Sequence, residues 1–242
     1  MRVLHFSDPH VQLPRWRERI GEMGPLRALA SVELWKGRGR DFDGAFETLK
    51  QIVRDADALR ADLVICTGDL TQLGMEEEFA LAREALAPLG ERLISIHGNH
   101  DRYPLGGAAN KLYEVYFPDQ PRRREGVVAL DSCGAICWPV ITRGRVEPAQ
   151  LERQDFARQL VLVHHAPVRD WPWHELRGRR QLLDATREAA AVLCGHVHRR
   201  TRSGNVICAG SSTQRGKEGY WLLEIDGGRV VSAEARRPGR SG

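Results

Sequence analysis

The chain has 242 residues, 42% of them hydrophobic and 28% charged, and its formal net charge at neutral pH is only +4. Such a length buries most of its apolar surface without covalent staples, and the mild charge argues against dedicated nucleic-acid binding. No apolar run approaches the length of a membrane span, and the sequence reads as one domain over 1–242, without repeats or low-complexity tracts.

The five cysteines, Cys66, Cys133, Cys137, Cys194 and Cys208, are odd in number, and three lie in apolar runs, so a reduced, cytoplasmic setting is expected. Cys133 and Cys137 lack a second cysteine pair that would complete a zinc site and are read as small apolar residues. The N-terminal MRVLHFSDPH has neither a basic leader nor a signal-peptide stretch and is expected to belong to the fold. Arginine clusters at 122–124, 177–180 and 236–240 read as solvated surface.

In chain order, Arg2 to Ser7 is a short apolar strand that delivers Asp8 and His10 to its carboxyl end. An irregular insertion near 11–40 follows, carrying Pro14, Pro25, Trp16 and Trp35. From Asp41 to Arg60 the apolar residues Phe42, Ala45, Phe46, Leu49, Ile52, Val53 and Ala56 have the spacing of an amphipathic helix. The same rhythm repeats with a strand over Ala61 to Asp69, a helix over Glu76 to Leu89 and a strand over Glu91 to Asp101. Beyond a helical stretch around Asn110 to Phe117, strands are expected at Gly126 to Leu130, at Ala135 to Val140 and in QLVLVHHAP, with a helix around Pro148 to Arg158 before the last of them. A site-proximal loop near 166–180, a helix over Gln181 to Ala190 and a strand over Ala191 to Cys194 lead into antiparallel strands between Arg200 and Val231. This order predicts an α/β fold, two sheets packed together with helices outside.

Five of these strands end in metal-ligand residue types: Asp8 with His10, Asp69, Asn99 with His100, His164 with His165, and His196 with His198. Singly, each is more simply a satisfied histidine, turn chemistry before Pro9 or a helix start. Together they matter, because the carboxyl ends of strands in an α/β fold gather side chains over one crevice. Carboxylate, amide oxygen and imidazole suit Mn, Fe, Zn, Co or Ni better than Ca or Mg. Two such ions need a moderating carboxylate between them, and Asp69 is best placed by order. On an extended segment residues i and i+2 share a face, so His196 and His198 can address one crevice.

With these residues set out, the sequence resembles the calcineurin-like metallophosphoesterases from Asp8 to His198 through five ordered motifs: DPH, GDLTQLG, GNHD, HHAP and GHVH. The resemblance implies a four-layer α/β/β/α sandwich of two mixed β-sheets flanked by helices. It implies two divalent metal ions, one held by Asp8, His10, Asp69 and His198, the other by Asp69, Asn99, His164 and His196. His164 is taken over His165 from its place in the motif, where Ala166 stands at the first proline, and His165 would support the ligands or face substrate. His100 would face the scissile phosphate and protonate the leaving oxygen, with Asp101 orienting it by a hydrogen bond. The implied reaction is P–O cleavage by a hydroxide bridging the metals.

GDLTQLGMEEEF is closer to the cyclic-nucleotide and glycerophosphodiester phosphodiesterase branch than to the protein phosphatases, so a phosphodiester leads as substrate. A pyrophosphohydrolase of the UDP-diacylglucosamine type competes, because the 11–40 insertion and WPWHELRGRR carry aromatic and Arg residues able to contact an amphipathic, lipid-linked ligand or a membrane surface. A non-catalytic scaffold is the contrasting class, and the presence of His100 speaks against it. Oligomeric state is left open.

Overall fold

The computed structural model describes residues 1–13, 38–102, 111–134, 143–169 and 176–240. Most of the 11–40 insertion, with Trp16 and Trp35, the strand expected at Ala135 to Val140, and Trp171 and Trp173 of the 166–180 loop lie outside the described residues.

Two mixed five-stranded sheets form the body. In the first, β1 (Arg2–Phe6), β2 (Leu63–Cys66) and β3 (Leu93–Ser95) run parallel, and β1 also pairs antiparallel with β9 (Tyr220–Asp226), which pairs with β10 (Arg229–Arg236). In the second, β4 (Val127–Ala129), β5 (Leu160–His165), β6 (Ala191–Gly195) and β8 (Val206–Cys208) run parallel, and β7 (Thr201–Ser203) closes the edge antiparallel to β8. The strands expected between Arg200 and Val231 therefore divide into two hairpin pairs, one in each sheet.

The inner strands are buried on both faces, whereas the edge strands β7 and β10 are largely exposed, and the alternation of the inner strands sorts the core. Val3, Leu63, Ile65 and Ile94 of the first sheet meet Leu160, Leu162, Leu193 and Ile207 of the second in one inter-sheet cluster. The opposite faces, through Leu4, Phe6, Val64 and Cys66, pack under α1 (Ala45–Ala58) and α2 (Glu76–Leu86). On the far side, Val161, Val163, Val192 and Cys194 pack with Leu182 of α5 (Arg179–Ala185) and Leu151 of α4 (Pro148–Glu152). This is the expected four-layer sandwich. Each fully buried aliphatic side chain contributes about 1.5–3 kcal/mol of hydrophobic stabilisation.

Several helices are shorter than their patterns suggested. The stretch from Asp41 divides into a 3-10 turn over Arg38–Phe42 and α1, whose buried stripe is Ala45, Leu49, Ile52, Val53 and Ala56. Arg60, at φ 52°, turns the chain out of α1 toward β2. α3 (Leu112–Tyr116) and α4 each last five residues, and α5 ends before Thr186, whose hydroxyl bonds back to the Leu182 carbonyl at 2.7 Å. α2 begins where the Glu78 carboxylate accepts the backbone N–H groups of Leu73 and Met75 at 2.8 and 3.1 Å, a cap for donors that the first turn leaves unmatched.

Candidate metal centre

The loops after β1 and β2 are zipped together. The amides of Asp8, His10 and Val11 donate to the carbonyls of Gly68, Asp69 and Leu70 at 2.9, 3.0 and 2.9 Å. The loop after β6 joins them across the sheets, where the His196 amide donates to both Asp8 oxygens at 3.1 and 2.9 Å. Gly195 fits against Ser7 and the Asp8 carboxylate with no room for a Cβ. The chain bends sharply there: Asp8, His10, Asp69, His196 and His198 all have left-handed backbones, with φ of 50°, 45°, 53°, 68° and 49°. Such conformations cost a non-glycine residue about 1–3 kcal/mol each and persist only where surrounding structure imposes them. Here the zipper does so, with Ser211 and Thr213 donating to the carbonyls of Asp8 and Pro9.

The side chains converge in two groups. In the first, His10 and His198 face each other with their Nε2 atoms 2.9 Å apart, and the Asp8 Oδ1 lies 3.3 Å from His198 Nε2 and 3.8 Å from His10 Nε2. In the second, His164 donates from Nδ1 to the Thr67 carbonyl at 2.8 Å, which turns Nε2 toward the Asn99 Oδ1 at 3.1 Å and the Asp69 Oδ2 at 3.4 Å. His196 packs edge-on against His164, with ring centroids 5.2 Å apart. Asp69 belongs to both groups: its Oδ1 accepts the His100 amide at 2.8 Å, while its Oδ2 lies 3.7 Å from His10 Nε2.

This donor set fits divalent cations. In the second group the neutral His164 ring, with its hydrogen on Nδ1, turns a bare Nε2 at amide and carboxylate oxygens, acceptor against acceptor, and in the first two imidazole nitrogens meet beside the Asp8 carboxylate. The Asn99 Nδ2 is buried without a hydrogen-bond partner among the described residues, so its amide is held for the sake of Oδ1. Such an arrangement is balanced by a cation or by a proton. Burial disfavours a charged His164, yet Asp69, Asp8 and the Thr67 carbonyl push its pKa up to about 9. Burial likewise opposes ionised Asp69, but His164, His100 and His10 hold it well below the usual carboxylate range.

The two expected catalytic residues differ in how they are held. His100 is half-buried and packs edge-on to His10, and its Nδ1 is 2.7 Å from the Gln72 carbonyl, which fixes the ring and the tautomer of its neutral form. The orienting bond expected from Asp101 is not the one observed. The Asp101 carboxylate instead accepts the amides of Leu70, Thr71 and Gly98 and the Thr71 hydroxyl, at 2.9–3.1 Å, so it braces the loops that carry Asp69 and Asn99. Burial first, then the Asp69 charge, raise its pKa to about 6 against those donors.

His165 is buried and lies behind His196, with ring centroids 4.3 Å apart, and its Nδ1 is 2.9 Å from the Ser132 hydroxyl. One ligand atom each of His164, His165 and His196 lies within 4.8 Å of the others, so His165 stands in the second group beside His196. Thr67, Gln72 and Ser132 were not legible as site residues, since two of them act through backbone carbonyls and carry no side-chain signal.

A family model described as calcineurin-like phosphoesterase matches residues 1–200. The chain belongs to this family, whose members use divalent metals and act on phosphoesters. A curated protein of Arcobacter nitrofigilis named "Probable glycerophosphodiester phosphodiesterase GpdQ" is 30% identical over 161 residues, 58% of this chain and 58% of that protein. Among solved structures, a dimetal phosphatase from Danio rerio superposes with a TM-score of 0.59 at 12% identity over 98% of this chain and 99% of that one. TT1561 of Thermus thermophilus superposes at 0.56 and 14% identity over 98% of both chains. At these identities the structural likeness establishes the fold. No helix among the described residues is long and apolar enough to cross a membrane.

Proposed function

We propose that this chain is a binuclear metal-dependent phosphodiesterase. The observation that carries the reading is the placement of one carboxylate oxygen, Asp69 Oδ2, between the Nε2 atoms of His10 and His164, one from each group. Asp8, His10, Asp69 and His198 would hold one divalent ion, and Asp69, Asn99, His164 and His196 the other. When bound, such ions supply Lewis acidity and make hydroxide available near neutral pH. Nitrogen and oxygen donors of this mixture suit Mn, Fe, Zn, Co or Ni.

His100 does the remaining work. Held by Nδ1–H to the Gln72 carbonyl, its ring would act in the protonated form, offering Nε2–H to a phosphoryl oxygen as negative charge grows there, passing that proton to the leaving alkoxide and becoming neutral. His165, whose ring lies 4.3 Å from that of His196 and whose Nδ1 is 2.9 Å from the Ser132 hydroxyl, would support that ligand. A diester is favoured over a monoester by the relative named as a glycerophosphodiester phosphodiesterase. The thiols of Cys66, Cys194 and Cys208, all buried and free, suit a reducing cytoplasmic setting.

The test is hydrolysis of bis(p-nitrophenyl) phosphate against p-nitrophenyl phosphate by manganese-loaded protein, with metal content measured in parallel. The diester should turn over faster, and preference for the monoester would overturn the diesterase reading. His100→Ala should retain both ions and lose roughly 10²–10⁴ in turnover, whereas Asp69→Ala should lose the ions as well. Metal-loaded protein inert toward both esters would favour the scaffold.

A further inference from the structure

Beside His165, whose Nδ1 is 3.8 Å from Cys133 Sγ, lies a second constellation that the centre above does not use. His97 comes from the segment after β3, and Asp131 and Cys133 from the segment after β4; one ligand atom from each lies within 4.8 Å of the others. His97 Nε2 is 3.7 Å from Asp131 Oδ1, and the same oxygen accepts the Cys133 amide at 2.7 Å, which ties the carboxylate to the residue bearing the thiol. Gly134 approaches Asp131 so closely that a Cβ would strike Oδ2, so the turn closes tightly around the carboxylate. The His97 Nδ1 is buried and has no hydrogen-bond partner among the described residues. The Asp131 side chain is 40% exposed and that of His97 13%, so the group opens to solvent on the carboxylate side.

We propose that His97, Asp131 and Cys133 form a third cation site, separate from the binuclear centre and selective for a thiophilic divalent ion such as zinc. Thiolate, imidazole and carboxylate are zinc's preferred donors, and three of them leave a further position to water. The histidine and carboxylate alone would make an ion pair, but that pairing does not account for the thiol at ligand distance from both. Burial and the Asp131 charge keep the Cys133 thiol protonated in the absence of a cation, so binding would release its proton and form a metal–sulfur bond. The site reaches the binuclear centre through His165, whose Nδ1 is 3.8 Å from Cys133 Sγ and 2.9 Å from the intervening Ser132 hydroxyl.

Sulfur separates this site from the other, whose donors are all nitrogen and oxygen. Cobalt(II) titrated into the full chain should produce a saturable thiolate-to-metal charge-transfer band. The band should vanish in Cys133→Ser and need roughly tenfold or more additional cobalt in His97→Gln and Asp131→Asn. Circular dichroism would verify that each variant is folded. In the unaltered protein, zinc should shield Cys133 from a thiol reagent, and His97→Gln should abolish the shielding, a readout that does not depend on the cysteine variant. A missing band in folded protein, a band that survives Cys133→Ser, or shielding unchanged by His97→Gln would overturn the site. These results are independent of hydrolysis, so an inactive enzyme would leave the inference standing or falling by itself.

Discussion

His5 lies fully buried beneath the ligand loops, its Nε2 3.1 Å from the hydroxyl of Thr67, whose carbonyl in turn holds His164. Burial, only partly opposed by the Asp8 charge, lowers its pKa from 6.5 to about 3. Once unfolded, the ring takes up a proton below pH 6.5, while in the fold it stays neutral down to about 3. Unfolding therefore binds a proton throughout that window, and acidification weakens the protein by about 1.4 kcal/mol per pH unit through this residue. In urea unfolding of chelator-treated protein and of His5→Met, the parent's unfolding free energy should fall relative to the variant's by about 1.4 kcal/mol per pH unit from about pH 6 to about pH 4; a constant difference would show that His5 is not the group responsible. Nothing in RVLHF distinguishes this histidine from a ligand. His164 and His165 pose the same problem, since the sequence does not say which of two adjacent imidazoles the site uses, and both rings come within 5.2 and 4.3 Å of His196 where the strand register shifts. Motif order selected His164, and the contacts to Thr67, Asn99 and Asp69 give that choice its geometry. Asp101 shows the converse, a carboxylate next to His100 whose acceptors serve the neighbouring loops.

Strands, loops and caps decide where those residues stand. Continuous apolar runs such as LVLV in β5 were legible because both faces are buried, one toward the other sheet and one toward the helices. Strand partners were not, because pairing is set by contacts far apart in sequence: β8 joins β6 in parallel, while β9 crosses to the other sheet to pair with β1. Short helices were overcalled where a few apolar residues imitate the helical period without enough turns to bury. Glu78 is the element-scale residue whose importance the sequence understated. Its carboxylate caps α2 and also holds Leu73, next to the Gln72 carbonyl that fixes His100. Glu78→Ala would strand two backbone donors and should cost roughly 2–4 kcal/mol in chemical denaturation, with a loss of turnover that exceeds any loss of metal. Glu78→Gln, which keeps an oxygen acceptor, should be milder on both counts.

For the molecule as a whole, the candidate ligands are divided between the sheets: Asp8, His10, Asp69 and Asn99 follow strands of the first, and His164, His196 and His198 belong to or follow strands of the second. Ions shared between them would act as cross-links that exist only in the native state. At a hundredfold excess over its dissociation constant each ion adds about 2.7 kcal/mol, so chelation should lower Tm by roughly 10–20 °C in a chain of this size. An unchanged melting curve would mean that no tight ions bridge the sheets. The left-handed backbones of Asp8, His10, Asp69, His196 and His198 add a consequence of another kind. Without metal, those residues are a standing debt against folding, so durability and activity pull this protein in opposite directions. Asparagine tolerates such a backbone better than histidine does. His198→Asn should accordingly bind metal poorly yet unfold at a temperature no lower than that of the chelator-treated parent. A population screened only for abundance would retain that variant, and one screened for turnover would discard it.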